Sequence, residues 1–181
     1  EILLRFQEYF SYEAVDGGFV QIQTYNTNTA QWSGWTTLKQ VYSGSRVWQR
    51  ARVELTAQAG NMVRLGFYHT DGTEDPSGII NHYEAPGWYI HEVTIYKQPI
   101  AELSGIEGFE NGLGDWFSDL GIWEAGVPTY GPPVNVNGRH AFSGTNVVGT
   151  ILGGNYPYQT DSRLVSPVVR LPAVNPGEEI L

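Results

Sequence analysis

Two-residue alternation of apolar and polar side chains runs through most of this chain, and no stretch of ten or more residues holds a capped helical period. In the opening run Ile2, Leu4, Phe6, Phe10 and Tyr12 share one parity, while Arg5, Gln7 and Ser11 take the other. That pattern is a strand with one face buried. Asp16-Gly17-Gly18 supplies turn chemistry before Phe19–Tyr25, so a hairpin is predicted there. Between Val47 and Ala57, Ala51, Val53 and Leu55 alternate with Arg50, Arg52, Glu54 and Thr56. Gly60-Asn61 turns the chain into a strand from Met62 to Tyr68. A long loop from Thr70 to Gly87 then leads to a strand from Trp88 to Tyr96. The pattern predicts an all-β fold, a sandwich of two sheets.

Residues 98–104 read as a linker, and the texture changes beyond them. Glycine, proline and asparagine spread through 105–181, with exposed loops expected at Gly131-Pro132-Pro133 and Gly153-Gly154-Asn155. Glu179-Ile180-Leu181 repeats Glu1-Ile2-Leu3, and the run from Ser166 to Glu179 ends in turn chemistry that leads naturally into a strand. The chain therefore reads as one period of a tandem array, cut inside a domain.

The formal net charge is −9 and the pI near 4.8. Nucleic-acid backbones and anionic membrane surfaces both need a basic footprint, so neither is an expected partner. An acidic surface does suit hard cations. Cysteine is absent, which excludes disulfides, thiolate nucleophiles and Cys-ligated zinc. No apolar run has the length of a membrane span, so no membrane insertion is expected. Abundant glycine, tyrosine and tryptophan resemble the composition of extracellular β-proteins.

Two strings resemble a known family. Gly87-Trp88-Tyr89-Ile90-His91-Glu92-Val93-Thr94-Ile95 resembles the last strand of MAM-like jelly rolls, including those appended to immune-inhibitor-A-type secreted peptidases, where it reads Gly-Trp-Tyr-Ile-Asp-Asp-Ile-x-Ile. Gly108-Phe109-Glu110-Asn111-Gly112-Leu113-Gly114-Asp115-Trp116 resembles their first strand. The resemblance runs in permuted order. Residues 1–97 match the C-terminal half of one jelly roll, and 105–181 match the N-terminal half of the next. It implies jelly-roll sandwiches completed by pairing between halves, with the neighbouring half supplied by the same chain or by the next copy.

Catalytic motifs are absent: the chain has no His-Glu-x-x-His, no Gly-x-Ser-x-Gly and no Gly-rich phosphate loop. His69, His82, His91 and His140 are far apart in sequence and read as structural or solvated. Glu8, Glu13, Glu107, Glu110 and Glu124 are scattered carboxylates of the sort that usually sit in solvent. The resemblance implies a structural Ca²⁺ held by Glu110, from the first-strand motif, and by Glu92, from the Asp-Asp positions. His91 departs from that pattern, because imidazole ligates hard cations poorly. Its parity groups it with Tyr89, Val93 and Ile95 as an inward-facing residue. Asp71, Glu74 and Asp75 offer a weaker loop site. Among the tryptophans, Trp48, Trp88 and Trp116 are expected in the core, where burying a large side chain stabilises by about 1.5–3 kcal/mol. Trp32 and Trp35, flanking Ser33-Gly34, are the candidates for stacking against a glycan.

The sequence thus points to a non-catalytic structural repeat of an extracellular or cell-surface fibre, stalk or large adhesin. Its partners are expected to be neighbouring copies of itself, joined head to tail into a filament. The alternative is a carbohydrate-binding or substrate-recruiting accessory module of a secreted hydrolase.

Overall fold

The computed structural model describes residues 1–13, 16–71, 84–100, 105–134, 138, 140–158 and 160–179. Its strands are β1 (Ile2–Ser11), β2 (Gly17–Asn26), β3 (Gln31–Trp32), β4 (Thr36–Val41), β5 (Gln49–Glu54), β6 (Val63–Thr70), β7 (Gly87–Lys97), β8 (Phe117–Asp119), β9 (Trp123–Gly126), β10 (Val147–Thr150) and β11 (Arg163–Val165). A 3₁₀ turn at Thr56–Gln58 is the one helical element among the described residues. The fold is all-β, as the alternation predicts.

Residues 1–97 build two antiparallel sheets. In the first, β1 lies between β5 and β7. In the second, β2 lies between β4 and β6, and β3 pairs with its far end. Leu4 and Phe6 of β1, Ala51 and Val53 of β5, Val20 and Ile22 of β2, and Leu55 fill the space between the sheets. The ring of Phe6 meets Phe67 and Trp88 edge-on, at 5.2 and 6.4 Å. Such buried side chains supply about 1.5–3 kcal/mol each.

One predicted connection differs. β1 and β2 do not form a hairpin; they belong to opposite sheets. The glycines that read as a turn serve close packing instead. A Cβ at Gly18 would lie 2.5 Å from Cε3 of Trp88 and 2.8 Å from Cγ2 of Val41, so only glycine lets the two sheets approach there.

The second part of the chain forms two small ribbons, β8 with β11 and β9 with β10. It contributes Ile122 and Ala141 to the buried apolar residues. It rests on the β5 side of the first sheet. Arg50 donates to the carbonyl of Gly114 at 2.8 Å, and Arg52 donates to that of Asp115. The Arg52 guanidinium also lies 5.5 Å from the centre of the Phe117 ring. Tyr42 donates its hydroxyl to Asp161 at 3.1 Å, and the Ile122 amide donates to the Ser45 carbonyl at 3.4 Å.

Candidate functional site: the outer face of the second sheet

Alternation along β2 sends Val20 and Ile22 into the core, and leaves Phe19, Gln21, Gln23 and Tyr25 on the opposite, outer face. Register extends that face across the sheet. Tyr68 of β6 stands opposite Phe19, Gly66 opposite Gln21, Arg64 opposite Gln23, and Trp32 of β3 opposite Tyr25. Phe19 and Tyr68 have ring centres 6.0 Å apart, and Tyr25 and Trp32 are 5.1 Å apart. Between these pairs the six-membered ring of Trp35 lies over Gly66. The row follows three two-residue steps of β2, a length of about 20 Å.

The loop carrying the tryptophans is held firmly. Thr24 and Ser33 exchange backbone and hydroxyl bonds: the Ser33 amide donates to the Thr24 carbonyl at 2.9 Å, and the Thr24 amide donates to the Ser33 hydroxyl at 3.0 Å. The Gln23 side chain donates to the Ser33 carbonyl at 2.8 Å. The Arg64 guanidinium sits 4.0 Å from the centre of the Trp32 ring, which braces the indole from one side. Trp35 and Tyr68 remain about half exposed, at 49 % and 51 %. The face is thus an anchored row of rings interspersed with amides and hydroxyls.

Trp32 and Trp35, singled out in the sequence, do share this face. Phe19, Tyr68, Gln21 and Gln23 were not singled out. Their parity along β2 was readable, but which face of β2 meets the other sheet became clear only with the pairing.

The metal candidates fall elsewhere. Both carboxylate oxygens of Glu110 are engaged within its own part of the chain. Oε1 accepts from the amides of Thr145 and Asn146 at 2.9 and 3.1 Å, and Oε2 accepts from the Thr145 hydroxyl at 2.8 Å. Glu92 sits in a bulge of β7, where Glu92 and Val93 together face Phe6, and its φ is +52°. Its neighbour is His91, at 3.8 Å. Among the described residues no three His, Asp or Glu side chains gather in a metal-binding group. Of the loop acids, Glu74 and Asp75 lie outside the described residues, as does His82.

Three expectations about burial are corrected. His91, read as inward, has a side chain 72 % exposed. Tyr89 stands opposite Tyr9 on the outer side of the sheet and is half exposed, while Trp88 and Ile90 pack on the core. Beyond the bulge Ile95 stands opposite Leu4 and takes the inward parity, yet it and Val93 are still about half exposed. β7 is an edge strand, and its bulge shifts the alternation partway along. Trp48, read as core, is 57 % exposed on the outer side of the first sheet, against Tyr9.

Glu8 also departs from the expectation of a scattered, solvated carboxylate. Glu8 is fully buried between the sheets. Its Oε1 accepts from Lys39 Nζ and Gln49 Nε2, both at 2.7 Å, and its Oε2 accepts from Trp88 Nε1 at 3.1 Å. A bulge at Leu38 in β4 makes this possible by turning Lys39 inward beside Val20. The ionic pair is largely enclosed, and its carboxylate accepts three hydrogen bonds. Nearby, burial first, and then the charges of Asp16 and Glu8, push the Tyr12 phenol up to about 12.

Searches against protein-family models, curated proteins and solved structures return no match for this chain.

Proposed function

We propose that the chain is a non-catalytic glycan-binding module of an extracellular or cell-surface protein, taking a neutral oligosaccharide across the outer face of the second sheet. The observation that carries this reading is the seating of Trp35 on Gly66, midway along a row that also holds Phe19, Tyr68, Tyr25 and Trp32. Apolar faces of sugar rings stack on indole and phenyl rings, whose own faces are apolar and polarisable. Gln21, Gln23 and Thr37 supply amide and hydroxyl partners for sugar hydroxyls. The one cation of the row, Arg64, lies against Trp32, so the face has no dominant charge and suits a neutral chain. A row of about 20 Å accommodates several sugar rings. The jelly-roll resemblance accords with this, since a two-sheet sandwich offers a broad, rigid outer face.

Titration calorimetry with cellohexaose and xylohexaose tests the proposal. Binding of either, lost in Trp35→Ala while the melting temperature holds, is the expected result. Absence of heat with these and with a broad glycan array would refute it.

A second reading, the structural repeat joined to neighbouring copies, is favoured by a different observation. Ile106 and Phe142 are fully exposed, and Tyr158, Tyr156 and Leu171 are 85, 70 and 66 % exposed. Apolar side chains left out in such numbers mark surfaces that another chain or domain covers. Sedimentation that shows head-to-tail oligomers, dispersed by Phe142→Ser, would support it. A monomer at every concentration would count against it.

A further inference from the structure

The outer face of the first sheet carries a second groove, chemically unlike the row on the other side. A cleft of about 450 Å³ opens where the β8–β9 region meets β5, and Trp48, Trp116, Trp123, Gln7, Arg50 and Asn111 line it. A hollow of about 340 Å³ along the same sheet is lined by Arg5, Glu92 and Thr94, and shares Gln7 and Arg50 with the cleft. The two therefore form one trough, aromatic at one end and cationic at the other.

The cationic end is unusual in a protein of net charge −9. Arg5 stands over the Tyr96 ring at 4.9 Å, and Arg50 gives one N–H to the Gly114 carbonyl. Neither has a carboxylate within ion-pair distance among the described residues. A guanidinium has five N–H donors, so both keep donors for a ligand. At the aromatic end Trp48 stands 57 % exposed beside Tyr9, and the Trp123 Nε1 donor is buried with no partner among the described residues. A buried indole N–H ordinarily finds an acceptor. The backbone at the cationic end is strained as well: Glu92 holds a left-handed φ of +52° in the bulge that borders the hollow. Such strain collects where a surface is shaped for binding.

We propose that this trough binds an anionic saccharide. Its acidic group lies between Arg5 and Arg50, and a ring stacks on Trp48, in the cleft that Trp123 also lines. Carboxylates and sulfates share the planar or tripod acceptor chemistry that guanidinium donors match. The trough lies on the first sheet and does not depend on the Trp35 row.

The test titrates the whole chain with trigalacturonate, with a sulfated disaccharide and with an uncharged trisaccharide. It follows the Trp123 indole N–H resonance in the unmutated protein and the binding heat in variants. The expected result is a shift of that resonance with an acidic sugar and none with the neutral one. Affinity should weaken as salt rises and screens the charges. It should fall at least about tenfold in the Arg5→Gln/Arg50→Gln double variant and stay unchanged in Trp35→Ala. The carboxylated and sulfated arms show which acidic group the arginines prefer. An equal shift of the Trp123 resonance by the neutral sugar, undiminished binding of the acidic sugars by a folded double variant, or a resonance unmoved by every acidic sugar would each overturn the proposal.

Discussion

Trp35 occupies the space that a side chain on residue 66 would need: a Cβ built on Gly66 falls 2.9 Å from Cζ3 and 3.0 Å from Cη2 of the indole. The glycine is therefore part of the seat of the ring. Gly66→Val should lift Trp35 off the sheet while adding a residue suited to a strand. We expect affinity for a neutral oligosaccharide to fall at least about tenfold. The melting temperature should change little, since Trp35 is half exposed. Calorimetry paired with a thermal melt separates the two effects. A variant that binds as before would show that the ring's seating does not matter.

The Glu8 carboxylate is buried with three donors, one of them the ammonium of Lys39. Glu8→Gln keeps the shape but leaves that ammonium without a counter-charge inside the sandwich. Breaking one partner of a buried pair typically costs about 3–5 kcal/mol. Lys39 retains some contact with water, its side chain being 12 % exposed, which places the expected loss toward the low end of that range. Replacing both groups, as Glu8→Gln/Lys39→Met, should recover part of the loss. Urea denaturation of the two variants decides this, and equal stability of the single and double variants would mean that the charge is not what matters.

These two sites differ in how far the sequence revealed them. The apolar parity of β1 was plain, and Leu4, Phe6 and Phe10 are indeed fully buried. Glu8 shares that parity and was still read as solvated, because alternation tells which face a residue takes but not what stands across from it. Its partners come from β4, β5 and β7, far off in sequence, and Lys39 reaches it only through a bulge. The exposure of His91 was hidden for a similar reason. A strand at the edge of a sheet, with a bulge in it, obeys neither a fixed parity nor the burial of a central strand. Trp32 and Trp35 were legible because Ser33-Gly34 marks a loop, and large rings in a loop stand out as surface.

Tyr12 gives a stability effect with a definite pH range. Its hydroxyl is buried without a hydrogen-bond partner among the described residues, beside the stacked ring of His69. Its phenol is raised from 10.0 to about 12 by burial, and then by Asp16 and Glu8. Below pH 10 both the folded and unfolded forms are protonated, and Tyr12 contributes no pH dependence. Between pH 10 and 12 the unfolded chain ionises while the folded one does not, so stability falls as pH rises. Against Tyr12→Phe, the unmodified protein should lose roughly 2–3 kcal/mol across that interval. At neutral pH the variant should equal or slightly exceed it, since a buried donor without a partner is removed. Parallel denaturation curves at pH 7, 10 and 12 measure the difference. A constant gap between the two proteins across that range would show that the phenol titrates normally.

Gly121 fixes how the second part of the chain rests on the first. Its φ is +89°, and a Cβ there would lie 2.5 Å from both the Cα and the carbonyl oxygen of Ser45. Ser45 cannot yield easily. It is fully buried, with its amide donating to the Phe10 carbonyl at 2.8 Å and its hydroxyl accepting from the Phe10 amide at 3.0 Å. Gly121→Ala therefore meets both a strained φ and a backbone clash, and should weaken this contact by about 1–3 kcal/mol. Gly121→Asn tolerates the positive φ but keeps the clash, so it should do no better. Hydrogen exchange gives a local readout, because the Ile122 amide bonds to the Ser45 carbonyl across the contact. That amide should exchange faster in both variants, while amides of β1 such as Phe6 keep their protection. If asparagine restores protection at Ile122, the backbone angle alone makes glycine necessary. If neither variant changes it, the two parts are not held together at this corner.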